Sequence, residues 1–396
     1  MNSKYIKIPK NLSHEKIEQL ISEIYKADAN VDIKIPLEIE YRGFGIFPGI
    51  FMLVFSWMRS KKGDLIISLK QEDSIKLKEF SESYFGYLLL TTLWKHCKIL
   101  DEEYNNIKPL FLNHTSRMFQ KIQFLEQLPN NEIMIPCYDH YSIEKGLSTW
   151  LYSSGSKFKE TPSSLDFTIS KILKKLTTIY KTKGARNLES KSIDSITKII
   201  WELFKNTDEH ARTDYLNEIN LSPSSRVLYT KIQQSSKRNY INNSDHSALK
   251  KYYQDAIINE ENNAFFLEIS IFDSGPGLAK RYLGENWTDN VSIDEEVNTI
   301  KKCLIKGQTS IMSIEGKEKG YGLDEVLQLL SEKRGFMKIR SGRAALYRNL
   351  IELPYAKTGG IDQVELYDWL TQSKIEFSLL GHVEGTQITL VFPFNN

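Results

Sequence analysis

Apolar and polar residues alternate along residues 31–41, "VDIKIPLEIEY", and again through "GDLIISLK" from Gly63, the two-residue period of strands. Between them "GIFMLVFSWMRS" is apolar on nearly every side, which predicts a buried helix and a β-α-β pattern. The wider run 45–58 is shorter than the roughly 20 residues that span a bilayer, and Pro48 and Gly49 interrupt it. It predicts a buried element and no membrane span.

Further on, "LDFTISKILKKLTTIYK" has helical spacing, with Phe167, Ile169, Ile172, Leu173, Leu176 and Ile179 on the apolar side. Lys171, Lys174, Lys175, Lys181 and Lys183 read as its solvated face, with phosphate contact as the alternative. A second helix runs from about Lys191 through "WELFKNTDEHA". Strands are expected at "RVLYTKIQQ", "AFFLEISIFD", "GFMKIRSG" and "EGTQITLVFP", and a helix from Gly322 to about Lys333. The polar stretch 235–263 predicts a surface insertion. At 153–164, "SSGSKFKETPSS" has the composition of a linker. It divides the chain into an N-terminal α/β unit, 1–155, for interaction or regulation, and a C-terminal unit, 165–396.

Composition narrows the picture. At 396 residues and 41% apolar side chains, the chain is long enough for two cores. Its 52 basic and 50 acidic residues leave a net charge of +2, so no global field favours nucleic acid or an anionic membrane. Cys97, Cys137 and Cys303 form no CxxC pair, which points away from a zinc site or a disulfide framework. The first twenty residues lack the apolar core of a signal peptide, and a cytoplasmic protein is the expectation.

The chemistry begins on the second helix. At about 100° per residue, Ile193, Ile196, Ile200, Leu203 and Phe204 form an apolar ridge, and Glu202, Asn206 and Glu209 form a separate stripe. An amide oxygen at Asn206 suits Mg²⁺, and a carboxylate one turn earlier, at Glu202, can take a proton from water. In "IFDSGPGLA", Asp273 closes a strand and Gly275 and Gly277 follow, a turn that also allows close ligand approach. In "EKGYGLDEVLQLL", Gly320, Gly322 and Leu323 enter a helix whose N-terminus can seat phosphate oxygens. Lys317 and Lys319 read either as phosphate partners or as flexible surface lysines. Thr386 follows a glycine at a strand start, where its hydroxyl can assist Asp273 or pack in the sheet. His210 lies between the two helix stripes and reads as an orienter of the helix end.

ExxxN, DxGxG, a long polar segment, GxGL and a final GT, in that order, resemble the Bergerat-fold ATPases, the group named for gyrase, heat-shock chaperone, histidine kinase and mismatch-repair proteins. The resemblance covers about residues 165 to 396 and implies an α/β sandwich with helices on one face of a mixed sheet. It implies ATP and Mg²⁺ as cofactors, with Glu202 as general base and Asn206 as metal ligand. Asp273 becomes the adenine-recognising carboxylate, and Gly275, Gly277, Gly320 and Gly322 the nucleotide-loop glycines. Lys319, Leu323 and Thr386 are further candidates for nucleotide contact, and "KGQTS" at 306–310 resembles the lid segment. The spacing of the N-terminal unit is similar to STAS-type domains found beside some regulatory kinases.

The expected activity is ATP hydrolysis, with lid closure coupled to a protein partner or a homodimer. A serine kinase of the anti-sigma-factor type is an alternative, as is a nucleotide-gated module without catalysis. An atypical histidine kinase ranks lower, because 165–183 holds no histidine and His14, in "SHEKIEQL", lies a whole unit away.

Overall fold

The computed structural model describes residues 5–41, 43–129, 131–153, 156–178, 193–257, 263–305, 322–355 and 364–394. Lys319, Gly320, Lys317 and the 306–310 segment lie outside these residues.

The chain is α/β and builds two sheets. Four short parallel strands, β1 (Tyr5–Lys7), β2 (Asp32–Ile35), β3 (Leu65–Ile67) and β4 (Ile99–Leu100), pair in sequence order. Parallel neighbours need helical crossovers. These are α1 (His14–Lys26), α2 (Ile46–Ser60), and the pair α3 (Ser74–Ser81) and α4 (Tyr84–Leu93). The expected β-α-β unit is therefore β2-α2-β3, with Pro36 following the last residue of β2.

After α5 (Leu112–Phe124) the chain enters the larger sheet with β5 (Glu132–Tyr138). A single turn, α6 (Ile143–Gly146), then leads to α7 (Asp166–Thr177) and α8 (Ile193–His210). The other strands are β6 (Ser225–Ser235), β7 (Ala264–Asp273), β8 (Phe336–Gly342), β9 (Ala344–Asn349), β10 (Tyr367–Asp368) and β11 (Val383–Phe394). Between them come α9 (Lys237–Asn243), α10 (Ser247–Ala256), α11 (Leu278–Leu283), α12 (Ile293–Cys303) and α13 (Gly322–Glu332). The spatial order is β10-β9-β8-β11-β7-β6-β5, and every neighbouring pair is antiparallel, so this sheet is not the mixed sheet the resemblance implies.

The expected division at 153–164 does not separate the two sheets. β5, which precedes it, is the edge strand beside β6. Nor do helices cover one face alone. Successive residues of a strand point to opposite faces. On β7, Ile271 and Asp273 face α8, whereas Phe272 faces α2, its ring 6.0 Å from Phe51 and 6.4 Å from Phe55. Phe47 stacks on Tyr229 of β6 at 4.4 Å. This position explains the composition of α2: with α1 and α4 on one side and the large sheet on the other, residues 46–58 are all buried. Each such large apolar side chain contributes about 1.5–3 kcal/mol of transfer free energy.

On the opposite face, α8 buries Ile196, Ile200, Leu203 and Phe204 of its expected ridge, along with Ile199 and Trp201. α7 buries Ile169, Ile172, Leu173 and Leu176, and Lys171 and Lys174 are exposed. Phe167 departs from expectation: it is 65% exposed and stacks on Trp150 at 6.3 Å. The 235–263 stretch is more than a surface insertion, because Leu249, Tyr252, Tyr253 and Ala256 of α10 pack with Phe44, Phe266 and Phe336 in a second apolar cluster.

Candidate functional site

The C-terminal half of α8 lies over the ends of β7 and β11, and a cleft opens between them. Its cavity volume is about 100 Å³. Leu203, Asn206, Thr207 and His210 form the helix wall. Ile271, Asp273, Thr386 and Ile388 form the floor, and Gly277, Leu278, Tyr282 and Leu323 the far wall. Five of the candidate nucleotide-binding residues, Asn206, Asp273, Gly277, Leu323 and Thr386, thus line one space. Glu202 is one helical turn from Asn206 and is not among the lining residues. Gly322 opens α13, next to Leu323.

The loop after β7 is shaped by close approaches. A Cβ on Gly275 would stand 2.7 Å from the Ala211 Cα, so this residue lets the loop abut the end of α8. Gly275 N–H donates to Asp273 Oδ1 at 2.9 Å. Gly385 has φ of +90°, and a Cβ there would meet the Asp273 carbonyl oxygen at 1.8 Å. Only glycine brings the start of β11 this close to the end of β7. The Thr386 hydroxyl lies 3.2 Å from that of Ser341.

Both acids sit where charge is costly. Asp273 is 4% exposed, and burial pushes it up to about 7 against the opposing N–H bonds of Gly275 and Thr386 and the charge of Arg226. Burial likewise pushes Glu202 up to about 7, with the Glu325 and Glu209 charges adding to it and Lys205 opposing it. A perturbed acid on a cleft wall, as Asp273 is, marks a functional site more often than ordinary surface does; Glu202 stands one turn outside the lining.

Several contributors have no local signature in the sequence. Arg226, fully buried between α8 and the sheet, holds Asp139 with two nitrogens at 2.9 and 2.6 Å. Its Nη1 donates to Asp208 of α8 at 2.9 Å and to the Tyr152 hydroxyl at 2.5 Å. This network anchors the end of the helix that carries Asn206. Its members stand at 139, 152, 208 and 226, and no short motif links them. His210, expected to orient the helix end, is itself on the cleft wall, and Cys303 of α12 lies there too.

No protein-family model matches the chain, and comparison with curated proteins and with solved structures yields no significant match.

Proposed function

We propose that the cleft holds ATP with Mg²⁺ and that the chain hydrolyses it, as the Bergerat-fold ATPases that its motifs resemble do. The observation that carries this reading is the meeting of Asn206, Asp273, Gly277, Leu323 and Thr386, from four separate stretches of chain, around one cleft. In this reading the Asp273 carboxylate accepts the exocyclic amine of adenine, and Thr386 stands beside it on the floor. Leu203, Ile271 and Ile388 give the base an apolar bed.

Among the described residues, no three His, Cys, Asp or Glu side chains gather to hold a metal by themselves. The neutral oxygen of Asn206 fits an ion that takes its remaining ligands from phosphate oxygens and water, the usual habit of Mg²⁺. When bound, that ion supplies charge neutralisation at the phosphates. Glu202, near its midpoint at neutral pH, is poised to accept a proton from water.

Thermal melting tests the binding. ATP with Mg²⁺ should raise the melting temperature by mass action and GTP should not, and Asn206→Ala and Asp273→Ala should abolish the shift. No shift with ATP would remove the nucleotide from the cleft, and equal shifts with ATP and GTP would remove Asp273 as a reader of adenine. Phosphate release by the wild type that persists undiminished in Glu202→Ala would remove Glu202 from the base role.

A further inference from the structure

The strand ends that form the cleft floor are gripped from the opposite face of the sheet by the N-terminal helices. Arg59, on the last turn of α2, sends Nη2 to the carbonyl of Ser274 at 3.3 Å and to that of Pro223 at 2.5 Å. Ser274 directly follows Asp273, so the arginine holds the loop that carries Asp273, Gly275 and Gly277. One turn earlier on α2, Ser56 Oγ accepts the backbone N–H of Glu384 at 3.1 Å, beside Gly385 and Thr386. α1 joins in: Glu18 pairs with Arg340 at 2.9 Å, and Arg340 Nη2 donates to the Gly381 carbonyl at 2.6 Å. Both strands that supply polar groups to the floor are thus fixed by residues more than 200 positions away in sequence.

Arg59 is an expensive residue to place there. It is desolvated, and its Nε is buried with no hydrogen-bond partner. The Glu384 carboxylate is the opposing charge near it. A guanidinium kept under these conditions, with Nη2 spent on two loop carbonyls, is costly for mere packing and well suited to fixing a backbone path.

We infer that Arg59 is a positioning residue for the cleft: α2 sets the path of the 273–278 loop through the Ser274 and Pro223 carbonyls, and so couples the N-terminal helices to ligand affinity. The second half of this statement rests on the nucleotide reading; the first does not.

Hydrogen exchange read by mass spectrometry on the full chain, without nucleotide, separates them. In Arg59→Met the amides of 274–278 should exchange about tenfold faster, the loss of one charge-assisted hydrogen bond, while those of α8 keep their rates. Arg59→Lys, which keeps one cationic donor, should restore much of the protection. Unchanged exchange at 274–278 in Arg59→Met overturns the positioning role. Faster exchange spread evenly over both sheets overturns it too, because that is the mark of general destabilisation. Should Arg59→Met not fold, Arg59→Gln takes its place, and faster exchange confined to 274–278 is the supporting result. ATP affinity, measured by titration calorimetry, should fall about tenfold in Arg59→Met and recover in Arg59→Lys. If the loop loosens in Arg59→Met and the wild type binds no ATP, the positioning role stands and the nucleotide reading falls. If ATP binds equally to wild type and Arg59→Met, the coupling to affinity is overturned.

Discussion

Asp273 concentrates the cost of the site in one side chain. Its folded pKa of about 7 stands above the 3.8 of a free carboxyl, so folding favours the protonated acid. That contribution is full below about pH 4 and is lost as pH rises through 7. Replacing Asp273 by Asn removes the penalty and leaves an oxygen to accept from Gly275. The stability of Asp273→Asn relative to wild type should therefore climb between pH 4 and pH 8, by up to about 4 kcal/mol, in denaturant melts. A flat difference across that range would mean that Asp273 is ionised throughout. Glu202 gives a rate counterpart: if it is the base, turnover should rise about tenfold per pH unit below 7 and level off above, and Glu202→Gln should flatten the profile. Asn206, Asp273 and Thr386 are singled out in the sequence by the order of the motifs that contain them, which resembles the Bergerat-fold ATPases, and the structure brings all three to one cleft. Arg226 and Arg59 are not legible in the sequence, since their partners are remote in sequence and a basic residue beside a strand or at a helix end is commonplace.

Among the elements, α2 shows how composition reports position. A helix apolar on all sides must be enclosed, and α2 is enclosed by helices and by the large sheet. Phe51→Ala, at a side chain with no exposure, should cost about 3–5 kcal/mol, whereas Phe167→Ala on the exposed side of α7 should cost less than about 1 kcal/mol. Equal costs in chemical denaturation would contradict the packing described. β7 and β11 were readable from long apolar runs. β5 is not among the expected strands; its Pro136 suits the edge that β5 occupies. β9 was missed because "AALYRN" is short and lies one residue beyond β8, too close to register as a separate element.

For the molecule as a whole, the two sheets share one continuous apolar cluster. The linker composition at 153–164 suggested separable units, but hydrophobic pattern does not say which sheet covers which face. A fragment of residues 165–396 would lack β5 and α2, and would expose Phe272 and Tyr229 to water. It should bind a hydrophobic dye and aggregate where the full chain does not. A monomeric fragment with a cooperative melt would show that the large sheet tolerates losing its second cover.

The burial of α2 also bears on how the chain is made. Phe47, Phe51 and Phe55 find Tyr229 and Phe272 only after roughly 200 more residues have left the ribosome, so the sheet-facing side of this oily helix waits uncovered during synthesis. Its docking onto the large sheet is then a late step of folding that depends on segments made long after the helix itself.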